Sequence, residues 1–298
     1  MKNLFFLFLL ILFTSCEIYN QEEYRELIVI EAYAVADRPL PAIRVSTTLP
    51  ADEEYNFGNA ALTDAIVQVT LMNENGEEEE QFQYFSSAVS PGSYLPEDTG
   101  HTVLPERTYR LDIQFNNRDE VLRAYTTIPE AFTIQNEIPE VITYQSDEQL
   151  ELVLSAFEDQ QKQKIFEINA ISVEPAEGKL TPFYDRIVRE SDDANEIENF
   201  TSNSSGLINE ANFNVNDEGL ITLQFPWIGV AFFELNLVVT NNVDKNLSDF
   251  VRSQELQLGG STLPPGEIPN ARYHIEGGIG VFGSISSDTV ETYFRRSF

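Results

Sequence analysis

Apolar and polar residues alternate with a period of two through much of the chain beyond residue 27. Tyr109, Leu111, Ile113 and Phe115 are separated by Arg110, Asp112 and Gln114, the pattern of a strand with one buried face and one wet face. Ala65, Val67, Val69 and Leu71 repeat it. Further strands are predicted over 27–35, 43–48, 81–85 and 121–128, parted by turn pairs such as Asn75-Gly76 and Pro91-Gly92. Short strands at this spacing predict a β-sandwich of immunoglobulin-like build over 27–129. The acidic run Glu77–Glu80 comes just after the Asn75-Gly76 turn and reads as a solvated hairpin tip, since a calcium loop needs ligands at defined spacing.

Pro129 and Pro139 bracket a stretch with few strand signals, so a linker is placed at 130–137 and a second β-rich domain at 138–298. In that domain Leu150, Leu152 and Leu154 alternate with Glu151 and Val153, and Phe233, Leu235, Leu237 and Val239 alternate with Glu234, Asn236 and Val238. Two last strands are expected at 279–285 and 289–294. One short helix is predicted over 247–258, with Ser248 as its cap. Residues 190–205 are polar and include Asp192-Asp193; they read as a long exposed loop, a kind of segment that often carries function.

The N-terminus has a different pattern. Lys2 precedes an unbroken apolar run from Leu4 to Phe13, and Thr14-Ser15 then lead to Cys16, the single cysteine. The run is too short to cross about 30 Å of hydrocarbon, so residues 1–15 read as a secretory signal. Thr14-Ser15-Cys16 resembles the bacterial lipobox, which implies lipidation of the Cys16 thiol, cleavage before it, and attachment to a membrane by several acyl chains. Residues 16–26, with Glu17, Glu22 and Glu23, form an acidic tether similar to those of Bacteroidetes surface lipoproteins; a plain solvated leash reads equally well. With one cysteine no intramolecular disulfide can form, so stability rests on packed cores.

Composition narrows the function classes. Eighteen Lys and Arg against 49 Asp and Glu give a net charge of −31, which excludes a nucleic-acid partner, because that binding depends on cationic side chains neutralising phosphates. A length of 298 residues with 42% hydrophobic composition suits two cores rather than one.

Catalytic chemistry is sparse. Gly278-Ile279-Gly280-Val281-Phe282-Gly283 fits G-x-G-x-x-G, but the dinucleotide fingerprint requires a helix immediately after it, and the residues beyond Gly283 read as strand. Glycines there suit bulges or close backbone approach. Asn214–Gly219 has Phe225 where a calcium loop would place its bidentate Glu, so it reads as a hairpin turn. His101 and His274 lie far apart and each reads as structural. No metal, cofactor or catalytic residue is therefore assigned and the chain reads as a non-enzyme. Exposed aromatics are the remaining route to binding. Phe225-Pro226-Trp227 breaks strand alternation, so Phe225 and Trp227, with Asp192 and Asp193, are the candidate binding residues; core packing of Trp227 is the competing reading.

Several segments carry a family resemblance. Leu27–Tyr33, Asp64–Val69, Gly92-Ser93-Tyr94, Leu104–Leu111 and the closing Gly277–Gly283 occur in the order seen in an uncharacterised Bacteroidetes outer-membrane lipoprotein family, domain of unknown function 4249. The first domain also resembles the transthyretin-like sandwiches that accompany TonB-dependent outer-membrane transporters. The resemblance implies a cell-envelope lipoprotein with no established activity. The expectation is a lipid-anchored, non-enzymatic binding or accessory component of the outer membrane, on its cell-surface or periplasmic side, beside such a transporter and with an unknown ligand. A structural or adhesive surface protein, or a surface hydrolase, is the alternative.

Overall fold

The computed structural model describes residues 24–50, 52–159, 162–191, 196–209, 213–257 and 271–297. The signal and tether, Cys16, Asp192 and Asp193 lie outside them. The fold is mostly β. Its first strands are β1 (Ile28–Val35), β2 (Ile43–Thr47), β3 (Ala65–Met72), β4 (Glu78–Ser86), β5 (Ser93–Pro96), β6 (Thr108–Phe115) and β7 (Leu122–Thr127). Next come β8 (Val141–Thr143), β9 (Glu151–Leu154), β10 (Ile165–Ser172), β11 (Ser202–Asn209), β12 (Asn214–Val215), β13 (Ile221–Gln224), β14 (Glu234–Val243), β15 (Ile275–Glu276) and β16 (Ile279–Arg295). Helices are α1 (Phe57–Ala60), α2 (Pro182–Glu190), α3 (Glu196–Asn199) and α4 (Lys245–Gln257).

One curled sheet runs in the order β11-β10-β14-β16-β1-β2-β5-β4-β3-β6-β7-β15, with β8 beside the far end of β16; β12, β13 and β9 form a small second sheet. The 17-residue β16 is the spine. Its first half pairs in parallel with β1, from Val29 opposite Ile279 to Val35 opposite Ile285, and its second half pairs antiparallel with β14. Gly278 lets the curl close, because a side chain there would collide with the Leu122 side chain of β7 and the Ile28 carbonyl. The glycine cluster thus serves close backbone approach, as its spacing with no helix behind it implies.

The inward faces build two cores. Ile30, Val69, Tyr109, Leu111, Ile113 and Phe282 belong to the first; Leu152, Phe166, Ile168, Val238 and Phe294 belong to the second. The alternation read in β3 and β6 is therefore the inward and outward pleat of real strands.

Three local expectations differ from the structure. The stretch 190–205 is not one loop: among its described residues, 196–199 form α3 and 202–205 open β11, which is polar because it is the sheet's edge strand. Helix α4 starts at Lys245 and is capped by Asp244, whose Oδ1 accepts the Leu247 N–H at 2.8 Å, while the Ser248 hydroxyl donates within the helix to the Lys245 carbonyl. The acidic run is only partly a solvated tip. Glu78 enters β4 and accepts from Arg110 at 2.6 Å, and Glu79 pairs with Arg107. The Arg110 hydrogen bond holds the Glu78 carboxyl below its ordinary range. The Asn216–Gly219 segment does form the turn between β12 and β13, with Asn216 Oδ1 accepting the Glu218 and Leu220 N–H groups.

Candidate binding cleft

At the seam between the two cores lies a cleft of about 400 Å³, within the range of about 300–1,000 Å³ usual for small-molecule sites. Three segments distant in sequence build it: the end of β7 with Pro129-Glu130, Phe157 with the entry to β10, and the last residues of β14 running on into the first turns of α4. Their meeting is set by the spine, because β16 pairs with β1 along its first half and with β14 along its second, and α4 leaves β14 directly and packs on β16.

Asp244 is the structural centre. It is 8% exposed, and Thr126 donates its hydroxyl hydrogen to Oδ2 at 2.6 Å while lying 2.7 Å from the Ser284 hydroxyl. Ser284 in turn donates to the Thr127 carbonyl at 3.1 Å. Burial pushes the Asp244 carboxyl above its ordinary range, outweighing the hydrogen bonds from Thr126, Leu247 and Ser284 that act the other way. Asn246 fastens the helix to strands of the first core, its amide donating to the Tyr125 carbonyl of β7 at 2.5 Å and the Phe282 carbonyl of β16 at 2.9 Å.

Charged groups ring this polar centre. Lys164 is 8% exposed; its ammonium donates to the Asp159 and Lys162 carbonyls at 2.5 and 2.8 Å and lies 5.1 Å over the Phe157 ring. Lys245 pairs with Asp249, which His274 Nε2 also reaches at 2.9 Å. Burial raises the Asp249 carboxyl, but the hydrogen bonds and charges of Lys245 and His274 together hold it below its ordinary range. Arg252 donates to the Asn209 side chain on β11.

Asn242, the last residue but one of β14, is different. It is 5% exposed and lines the cleft, and its amide has no hydrogen-bond partner among the described residues. The neighbouring asparagines are engaged: Asn236 donates to the Phe232 carbonyl, Asn241 accepts from Ser287, and Asn246 is bonded as above. The buried side-chain atoms left without a partner among the described residues are the Tyr84 and Thr240 hydroxyls, so the Asn242 amide opens to the cleft, where solvent or a ligand is its natural partner.

The residues singled out in the sequence lie elsewhere. Phe225 is 1% exposed inside the second core and presents no surface to a ligand; its carbonyl accepts from Gln149 at 2.6 Å. Trp227 is partly buried on the same core, edge-on to Tyr144 and Phe294 with ring centroids 5.5 and 6.4 Å away. Both sit at the β13–β14 connection, remote in the sheet from the α4 end of β14. His101 packs 4.2 Å from the Phe82 ring, with Nε2 2.9 Å from the Tyr109 hydroxyl, and burial lowers its pKa. Among the described residues no group of three or more His, Cys, Asp or Glu is placed to hold a metal ion, and no helix is long and apolar enough to cross a membrane. The cleft residues carry one sequence signal: Asn241-Asn242-Val243-Asp244 replaces apolar alternation at the end of a strand with polar side chains and a helix cap.

Residues 16–291 match the family described as Domain of unknown function (DUF4249). The chain belongs to this family. DUF4249 thus covers the first core, the second core apart from Phe294, the whole cleft and most of the spine strand. No curated protein matches the chain. Among solved structures, the crystal structure of a tetra-tandem repeat in the extending region of a large adhesion protein is similar over 89% of this chain at 10% identity, with a TM-score of 0.21. The chain spans about half, 49%, of that structure, and likeness at this level carries no argument about this DUF4249 chain.

Proposed function

We infer that the protein is a lipid-anchored, non-enzymatic binding or accessory component of the outer membrane that works beside a TonB-dependent transporter. The observation that carries this reading is the run from Lys2 to Cys16, a positive residue, ten apolar residues and a small-residue approach to the only thiol. Two features support the binding part. The cleft at the seam has the size of a small-molecule site, and both histidines are occupied, one in aromatic packing and the other in a hydrogen bond with Asp249. Membership of a family without a described activity leaves the assignment to these physical features.

The test is affinity purification of the tagged full chain from its own outer membrane in mild detergent, with identification of proteins recovered in near-equal amount. A barrel transporter at near-stoichiometric yield is expected. Recovery of the chain alone contradicts the accessory role.

A further inference from the structure

We propose that the seam cleft binds a small monocarboxylate with a compact apolar body, held by the Asn242 amide and the Lys162 ammonium. The proposal rests on the binding reading above and supplies its ligand class.

The charge balance of the cleft departs from that of the chain. The whole sequence holds 18 basic residues against 49 acidic ones, whereas the cleft lining brings Lys162, Lys164, Lys245 and Arg252 together with only Glu130, Asp244 and Asp249. Within a strongly anionic protein this is a local site where a negative ligand is not repelled. Three of the four cations have partners in the fold. The Lys162 side chain is exposed and meets none among the described residues, so its charge is available to a ligand.

Asn242 supplies the second, independent observation. It is 5% exposed, and its side chain opens to the same cleft and has no partner among the described residues, although every neighbouring Asn on β14 and the start of α4 has found one. A carboxylate oxygen accepts from an amide N–H and from an ammonium together, and hydrogen bonds to a charged acceptor are the stronger kind. The walls select further. Phe157, Ile165 and Pro129 line the cleft with apolar surface, which suits a hydrocarbon or aromatic body. Glu130 and Asp249 on the same walls oppose a second negative charge, so a monoanion fits better than a dianion such as phosphate.

The experiment is calorimetric titration of the purified full chain in detergent with acetate, isovalerate and phenylacetate, each against its neutral amide, and with inorganic phosphate. Saturable binding of isovalerate or phenylacetate is expected, at least tenfold tighter than the matching amide and tighter than phosphate. Lys162→Ala, at an exposed position, is expected to weaken it at least fivefold, and Asn242→Leu at least tenfold, with thermal melting of each variant recorded to show that the fold is kept. Absence of saturable binding by every carboxylate overturns the proposal, as does equal affinity for acid and amide, or an affinity unchanged by Lys162→Ala. Because transporter recovery does not depend on the cleft's occupant, failure here is distinguishable from failure of the accessory role.

Discussion

Replacing Gly280 with Ala is expected to destabilise the protein by about 3 kcal/mol, measured as a fall in the urea midpoint of the full chain. Two effects combine. Gly280 has φ +105°, a conformation that L side chains rarely adopt, and an added Cβ would overlap the Ile30 carbonyl oxygen of the neighbouring strand. That oxygen belongs to β1 at the register position opposite Gly280, so relief requires the β1–β16 pairing itself to open. Gly76 provides the internal comparison. It also has positive φ, at +76°, but nothing lies within 4 Å of the Cβ position, and Gly76→Ala should cost only the conformational part, about 1–2 kcal/mol. Equal losses at the two positions would show that backbone approach at Gly280 has no energetic weight.

The second large effect is at the other end of the same strand. Phe294 is fully buried in the second core and packs edge-on against Trp227. Phe294→Ala should cost about 3–5 kcal/mol, the transfer free energy of the lost ring together with the cavity it leaves. Phe294→Leu, which keeps most of the apolar volume, should cost less than about 1.5 kcal/mol. Hydrogen exchange locates the damage: amides of β10 and β14 are expected to lose more protection than those of β3 and β6, because the latter strands line the first core. A loss below about 1 kcal/mol in Phe294→Ala would contradict the placement of this ring at the centre of packing.

The legible and illegible parts of the fold divide on physical grounds. β3 and β6 could be read because each has one apolar and one polar face, so period two survives in the sequence. β16 could not be read as one strand, because Ser286-Ser287-Asp288 interrupts its apolar positions. Those residues stay in the sheet because β14 sets Asn242, Asn241 and Thr240 against them, so polar faces polar across the pair. β11 was hidden for a related reason. An edge strand with Ser202, Asn203, Ser204 and Ser205 has the composition of a loop, and its assignment rests on hydrogen bonding to β10. The cleft was the least legible. Thr126, Lys162 and the stretch from Asn242 to Asp244 lie in separate segments that only the shared sheet brings together, whereas Phe225 and Trp227 were conspicuous as a local aromatic break. Aromatic clusters serve cores as readily as binding surfaces, and here Phe225 is in the core.

The measurement that bears most directly on the central claim is mass spectrometry of the N-terminal peptide of the mature protein, purified from its own membranes. A chain that begins at Cys16 and carries diacylglycerol on its thiol is the expected result. An unmodified Cys16 thiol, or a mature chain that begins elsewhere, would contradict the lipid anchor and with it the proposed place of this protein at the outer membrane.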